Sequence, residues 1–433
     1  MHRHFRFATI CFLLLFCLCI PSFFAQDHDC LKGGKGTSQT LSGTWARFLP
    51  NNPVREYSIA RIRDTGASIL EFSNGDLLAV WAKFTKNGKD DSAGWIVGRR
   101  SKDKGKTWGT EFPVTGVIGM LNSMAPSLLL LPNGDALLFI LAKHDQFELD
   151  IIMWRSSDNG YTWNNPIEIN EGLQQAYHVM NNDRVIQLEK RPHKGRIICP
   201  ISFSTDISAS TTDPTAFMKC MTFYSDDEGK TWNKSEVIHP PDGYLRGLME
   251  PGVVELENGD VMMLIRTRNQ EILKTVSSDG GESWGSLITM RERPEGDTLV
   301  TTSSPSTIKR IPCTGDLLMI YNNGIDKKIN QDRTHLVYRI SKDDGESWGP
   351  MGTLAQGNDP EGFAYASIAF VEENALITYY VDIPADSTDI GIRTFETELR
   401  IIPVGWFYGI SVPSEVPKRS FLNHIRCCVN KQG

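Results

Sequence analysis

Asp90 and Asp91 stand side by side in a polar loop spanning 84–93. Glu250-Pro251 precedes the apolar run Gly252–Leu256, and the following apolar run ends in Arg266-Thr267-Arg268. Arg333 comes just before His335–Ile340, and Tyr365 opens the last repeated segment. Carboxyl groups give and take protons when held near a reacting oxygen. An arginine fork binds a planar anion through paired charge-assisted bonds. A phenol with a base beside it can act as a nucleophile. Together these groups suit an anionic, hydroxyl-rich ligand. Singly, each has a plainer reading: Glu250 and Arg266 as an ion pair at a strand end, Tyr365 as a core aromatic, the two aspartates as solvated loop residues.

Whether they meet depends on the elements between them. Five segments read Ser-x-Asp-x-Gly-x-Thr/Ser-Trp: Ser101 to Trp108, Ser156 to Trp163, Ser225 to Trp232, Ser277 to Trp284 and Ser341 to Trp348. The third, with Asp226, Asp227 and Glu228 crowded before Gly229, is expected to be a variant. Each has hairpin chemistry: the Asp bonds backbone N–H groups of its own turn and the Gly takes positive φ. The Trp is expected to pack between neighbouring sheets. Upstream of each lies a turn followed by an apolar strand, with glycines at 75, 134, 195, 259 and 315, separated by 59, 61, 64 and 56 residues. Glu373-Asn374-Ala375-Leu376 is a weaker sixth copy.

Short β-branched and aromatic runs between turns, without helical periodicity, predict an all-β fold: a six-bladed β-propeller of four-stranded antiparallel blades. In that topology the turns and Trp segments share one face. The starts of first strands, the ends of second strands and the loops after them share the other, which is where Asp90, Asp91, Glu250, Arg266, Arg333 and Tyr365 fall. Tyr177-His178 and Asn181-Asn182-Asp183-Arg184 open the third blade on the same rim and are expected to make specificity contacts.

The 433 residues carry 45 Lys+Arg against 52 Asp+Glu, a net charge of -7. Without residues 1–25, which contain Arg3 and Arg6 and no acid, the charge is -9. Such a balance argues against a nucleic-acid backbone as partner. Basic residues followed by the apolar run Ala8–Phe24 read as a secretory signal peptide cut near Ala25, a signal-anchor being the alternative. No comparable run follows, so an extracytoplasmic location with no later membrane span is expected. The expected organisation is signal peptide 1–25, N-terminal segment 26–50, propeller 51–410 and tail 411–433. Six cysteines lie beyond residue 25, and Cys199 with Cys220, on adjacent strands, is the favoured disulfide. No CxxC or HExxH spacing suggests a metal, and no cofactor is expected. Asn233-Lys234-Ser235 is a glycosylation sequon.

Over about residues 55–405 the boxes and the blade count resemble the sialidase (neuraminidase) superfamily, specifically its BNR-repeat branch. Glu250-Pro-Gly-Val-Val-Glu-Leu-Glu-Asn-Gly runs to Arg266, and the spacing of 16 is similar to that of the family's Glu and Arg. Arg333-Thr-His-Leu-Val-Tyr-Arg-Ile-Ser-Lys-Asp looks like the segment of its third arginine, and Ala364-Tyr365-Ala-Ser-Ile-Ala-Phe like that of its tyrosine. The resemblance implies a retaining exo-glycosidase releasing sialic acid or a related acidic sugar from glycans. In it Tyr365 is the nucleophile, Glu250 its base, Asp90 or Asp91 the acid/base, and Arg266 and Arg333 clamp the substrate carboxylate. A neutral tyrosine avoids the repulsion a carboxylate nucleophile would meet there, and sialidases are a known exception for using it. The acid is expected to be kept protonated. One position departs from the family: Thr65 stands where its first arginine belongs. Arg63, of the same strand parity, and Arg61 are the candidates to replace it. Two other readings remain open, a non-catalytic carbohydrate-binding propeller and an enzyme acting on another uronate or ulosonate glycan.

Overall fold

The computed structural model describes residues 36–40, 63–85, 90–173, 176–205, 217–244, 246–324, 333–357, 362–384 and 393–409. The expected signal peptide 1–25, Arg61, Cys30, Cys427, Cys428 and the expected tail 411–433 lie outside them. The structure is all-β. Among the described residues the named helix is one 3-10 turn, Val404–Tyr408, and no helix is long and apolar enough to cross a membrane.

Among the described residues, antiparallel pairing divides the strands into six groups, referred to as sheets one to six. Sheet one holds Arg63–Glu71, Leu77–Phe84, Gly94–Ser101 and Phe112–Pro113. Sheet two holds Asn122–Leu130, Ala136–Lys143, Leu149–Ser156 and Asn164–Glu168. Sheet three has a broken first strand, Tyr177–Val179 and Ile186–Gln187, then Ile197–Ser204, Lys219–Ser225 and Asn233–Lys234. Sheet four holds Met249–Glu255, Val261–Arg266, Ile272–Ser277 and Ile288–Thr289. Sheet five holds Thr307–Arg310, Leu317–Asn322, His335–Ser341 and Gly352–Gln356. Sheet six holds Gly362–Val371, Asn374–Pro384 and Arg393–Pro403, and its fourth strand is Thr37–Thr40 from within the 26–50 segment. Single parallel pairs link some neighbours, such as Gly94 with Asn122 and Arg63 with Phe395.

Second strands such as Leu77–Phe84, Ala136–Lys143 and Leu317–Asn322 are buried throughout, which is why they read as apolar runs with a polar residue only at or next to the end. Outermost strands are short and largely exposed, which blunts the sheet edges. The core consists of six clusters, and each joins two sheets. Leu78, Ile96 and Leu138 join sheets one and two; Leu137, Met153 and Ile201 join two and three. Ile198, Leu248 and Met263 join three and four; Met262, Leu264 and Met319 join four and five. Ile320, Leu336 and Ile377 join five and six, and Trp81, Leu376 and Leu399 join six to one. Burial of each such side chain contributes about 1.5–3 kcal/mol. Apolar contact between faces, rather than pairing at edges, therefore holds the sheets to one another.

The Trp-containing turns serve this packing. In all five the Gly N–H donates to the Ser hydroxyl at 2.8 Å and the Ser hydroxyl donates to the Asp. The third turn, expected to be a variant, makes the same bonds through Asp227, because the crowded acids change only the x positions. A side chain at Gly105 would meet Leu376 at 3.1 Å, in a backbone at φ +86, so this turn presses bare backbone onto the neighbouring sheet. Trp232 meets Phe139 of sheet two edge-on, 5.9 Å between centroids, as expected of a wedge between sheets.

Cys199 and Cys220 are free thiols, against the expected disulfide. Their strands are adjacent, but Cys199 pairs with Phe223 and Cys220 with Ser202, a register in which the two side chains point to opposite faces. They belong to different core clusters. Cys313 is disulfide-bonded.

The break in the first strand of sheet three positions the site. Residues Asn181-Asn182-Asp183-Arg184, expected on the rim, are instead buried and bonded to other sheets. The Asp183 carboxylate accepts from the Ser68 hydroxyl (3.2 Å), the Ile368 N–H (3.0 Å) and the Lys309 ammonium (3.1 Å). Asn182 donates to the carbonyls of Ala67 (2.8 Å) and Tyr365 (3.2 Å). Arg184 donates to the Ser306 carbonyl (3.1 Å), and the Ser127 hydroxyl accepts the N–H groups of Arg184 and Val185. On sheet four, Gly252 leaves room for the Arg184 side chain, which a Cβ there would meet at 3.2 Å. One segment thus touches the first strands, or the segment leading into them, of the other five sheets. Removing a buried charge that satisfies three donors is costly. Asp183→Ala should lower the unfolding free energy by about 3 kcal/mol, read as a fall in the urea midpoint. An unshifted midpoint would show that these donors find other partners.

Candidate active site

Four first strands carry the same irregularity near their starts. Register shifts occur between Thr65 and Ser68, Met124 and Ser127, Met249 and Gly252, and Ala364 and Ser367. At each shift one residue has positive φ: Gly66, Ala125, Glu250 and Tyr365. A bulge of this kind re-aims a side chain out of the strand's alternation. For Glu and Tyr the conformation costs about 1–3 kcal/mol each and persists only where surroundings over-determine it. Here they do: Asn182 holds the Tyr365 carbonyl, and the Glu250 N–H donates to the Ser202 hydroxyl at 3.2 Å.

The two re-aimed side chains meet. The Tyr365 hydroxyl donates to Glu250 Oε1 at 2.9 Å, across 115 residues of sequence. Arg266, at the end of the second strand of sheet four, donates to Glu250 Oε2 and to the Ser303 hydroxyl through Nε (3.3 Å) and Nη2 (3.2 Å). Arg333 donates to the Tyr380 hydroxyl at 2.5 Å and to the Ser303 carbonyl at 3.1 Å, and its guanidinium lies 5.5 Å from the Tyr365 ring centroid. Tyr380 packs beside Tyr365 with centroids 5.6 Å apart. Glu250, Arg266, Arg333 and Tyr365 thus form one cluster. Burial and then the Glu250 charge push the Tyr365 phenol up to about 12, while Arg266 and Arg333 pull the other way. The tyrosine is therefore neutral at physiological pH, with an acceptor for its proton in contact.

Arg63 begins the first strand of sheet one and forms an ion pair with Asp90. Its guanidinium lies against the rings of Phe84 (5.2 Å) and Phe395 (5.7 Å), and its charge is felt by Tyr365 and Tyr380. Phe395 in turn packs on Tyr380 with centroids 5.2 Å apart, so Arg63 lies one ring from the tyrosine cluster, while Thr65 is buried and carries no charge to offer. Asn122 holds the Asp90 loop by donating to the carbonyls of Asp90 (2.7 Å) and Ser92 (3.0 Å). The Arg63 charge, aided by Lys143 and Arg333, overcomes desolvation and holds the Asp90 carboxyl below the usual carboxylate range. The acid expected to be kept protonated is thus held ionised. Asp91 is exposed, and no bond ties it to the cluster.

His178 is buried against the Leu149 carbonyl (3.3 Å) and burial lowers its pKa, so it is a structural histidine rather than a rim contact. Ser303 and Tyr380 are site residues that the motif spacing did not reveal. Among the described residues no group of His, Cys, Asp or Glu is arranged to hold a metal ion.

A family model described as BNR repeat-like domain matches residues 75–378. A sialidase of Micromonospora viridifaciens is 23% identical over 374 residues, covering 79% of this chain and 52% of that protein. A sialidase of Bacteroides fragilis is 24% identical over 245 residues, 55% of this chain and 40% of that protein. The chain thus spans about half the length, or less, of the curated relatives it matches. Among solved structures, the intramolecular trans-sialidase of Ruminococcus gnavus superposes with a TM-score of 0.58 at 14% identity, covering 79% of this chain and 95% of that one. At that identity the likeness is one of fold.

A raised phenol pKa makes a stability statement with a definite sign. The contribution is fully present below the ordinary tyrosine value of 10 and is lost as pH rises through about 12. Ultraviolet titration of wild type minus Tyr365→Phe should show one phenol ionising near 12, and a midpoint near 10 would contradict the buried, Glu250-bonded geometry.

Proposed function

This chain belongs to the BNR repeat-like domain family, within the sialidase superfamily, and from that premise we propose that it is a retaining exo-glycosidase that releases sialic acid or a related acidic sugar from glycans. The observation that carries the proposal is the bond from Tyr365 to Glu250 with Arg266 and Arg333 against the same two side chains. The proposed frame is a six-bladed propeller, supported by six antiparallel groups and by core clusters that link each group to the next and the sixth to the first. Release from the cell by a cleaved signal peptide is part of the same reading, supported by the sequence of residues 1–25.

In this reading the substrate carboxylate binds Arg266 and Arg333, with Arg63 as the third cation in place of an arginine at position 65. Ser303 presents the first two in register. The Tyr365 oxygen attacks the anomeric carbon as its proton passes to Glu250. The glycosidic C–O bond breaks, and the departing oxygen takes a proton from Asp90. Water then attacks the anomeric carbon, giving its proton to Asp90, while the proton on Glu250 returns to the tyrosine oxygen and the configuration is retained. A phenol of high pKa is a poor nucleophile without help. Glu250 at 2.9 Å takes the phenol proton as the bond forms, and the two guanidinium groups lower the cost of the negative charge left on the oxygen. The Arg63–Asp90 pair favours a second reading, that of a carbohydrate-binding protein without catalysis, because an ionised Asp90 has no proton to donate.

Release of 4-methylumbelliferone from its α-sialoside separates the two. Wild type should turn over, Tyr365→Phe should be inactive, and Asp90→Asn should lose about 10²–10⁴-fold in kcat on sialosides with poor leaving groups. Ser303→Ala should reduce kcat/KM by roughly 10-fold, the worth of one charge-assisted hydrogen bond. Saturable sialoside binding with no turnover in wild type would favour the binding protein.

A further inference from the structure

Arg63 has two claims on it. As a carboxylate clamp it must meet the substrate, yet its Nη1 holds Asp90. The guanidinium is confined between Phe84 and Phe395, and the Arg63 side chain is 18% exposed against 57% for Asp90. The partner free to change is therefore Asp90. Its backbone is fixed by Asn122, so the carboxyl can leave Arg63 and reach solvent without the loop moving. We infer that the substrate's own carboxylate arms the acid: by taking Arg63 it releases Asp90 to bind a proton, so that only a glycoside with an anion beside its anomeric carbon assembles the proton donor. This inference rests on the reading of the site as that of an acidic-sugar glycosidase.

The charges around Asp90 fix the sign. Arg63 faces it from sheet one, Lys143 from the end of the second strand of sheet two and Arg333 from sheet five, with Asp91 adjacent in the chain. Before binding, these cations hold Asp90 ionised in mildly acidic solution. Binding adds a negative charge that engages Arg63 and Arg333, leaving Lys143, whose ammonium lies over the Tyr177 ring at 5.8 Å. The Asp90 pKa then rises, and one proton enters from solvent. Arg63 would thus set specificity through catalysis as well as affinity, since a neutral glycoside would leave the acid locked.

The test is calorimetry of full-length mature protein with 2-deoxy-2,3-didehydro-N-acetylneuraminic acid, a non-hydrolysed carboxylate sugar. Titrations at about pH 5.5, in buffers of different ionisation enthalpy, count protons. The expected result is uptake approaching one proton per ligand, with affinity rising up to about 10-fold per pH unit on acidification. Asp90→Asn, checked as folded by circular dichroism, should bind with no uptake. Binding without uptake in wild type overturns the inference and leaves the glycosidase reading intact. Uptake that persists in Asp90→Asn assigns the proton elsewhere and also overturns it. No binding at all removes the reading on which it rests.

Discussion

A single buried carboxylate, Asp183, is the constraint on which the geometry of this protein turns. It accepts from sheets one, five and six at once, from a segment that belongs to sheet three. Each sheet packs on its neighbours through apolar faces, which resist separation but tolerate sliding. Directional bonds from Asp183 and its neighbours remove that freedom at the starts of the first strands. Those starts are where Glu250 and Tyr365 are turned out of their strands by positive φ. A site built from four sheets needs its parts fixed to within a fraction of an ångström, and the anchor lies beside the strands that carry them.

The site is also a lesson in charge balance. Arg266 is committed to Glu250 and Ser303, Arg333 to Ser303 and Tyr380, and Arg63 to Asp90. Each guanidinium is thus oriented by its own partners. Such prior orientation would reduce the entropy lost on binding an anion, and two aromatic rings beside Arg63 restrict it further. The same pairing means that an anion arriving at these groups would compete with partners already in place.

Much of this was legible in the sequence wherever the determining chemistry is local. The Ser-x-Asp-x-Gly turns specify their own bonds, and their spacing marks the sheets. Glu250, Arg266, Arg333 and Tyr365 could be placed on one rim because each falls at a strand terminus whose position follows from those turns. What could not be read depends on contacts between distant segments. Asn181–Arg184 is a polar run, which ordinarily signals solvent, yet it is buried because four sheets supply its hydrogen-bond partners and sheet four makes room at Gly252. Adjacent strands for Cys199 and Cys220 could be inferred but not their register, which decides the facing of every side chain. The charge state of Asp90 is set by Arg63, 27 residues away. The bulges do carry a local signal: Gly66-Ala-Ser, Ala125-Pro-Ser, Glu250-Pro-Gly and Tyr365-Ala-Ser share a small or imino residue and then Ser or Gly, with the re-aimed residue first.

The strand Thr37–Thr40 completes sheet six by pairing with the far end of the fold, Thr40 opposite Glu398 and Thr37 opposite Ile401. During synthesis that strand must wait for about 360 further residues before its partner exists, while sheets one to five can form from contiguous chain as they emerge. The last sheet is therefore the step of greatest sequence separation and should carry the largest loop-closure cost in folding. Until it forms, the stretch from Glu398 to Ile401 lacks its outer partner and the Tyr365 strand sits in an incomplete sheet. The sheet that carries Tyr365 is the last to be finished, so a ribosome-bound or truncated chain lacking this pairing would have the other sheets of the site but not a completed sheet six.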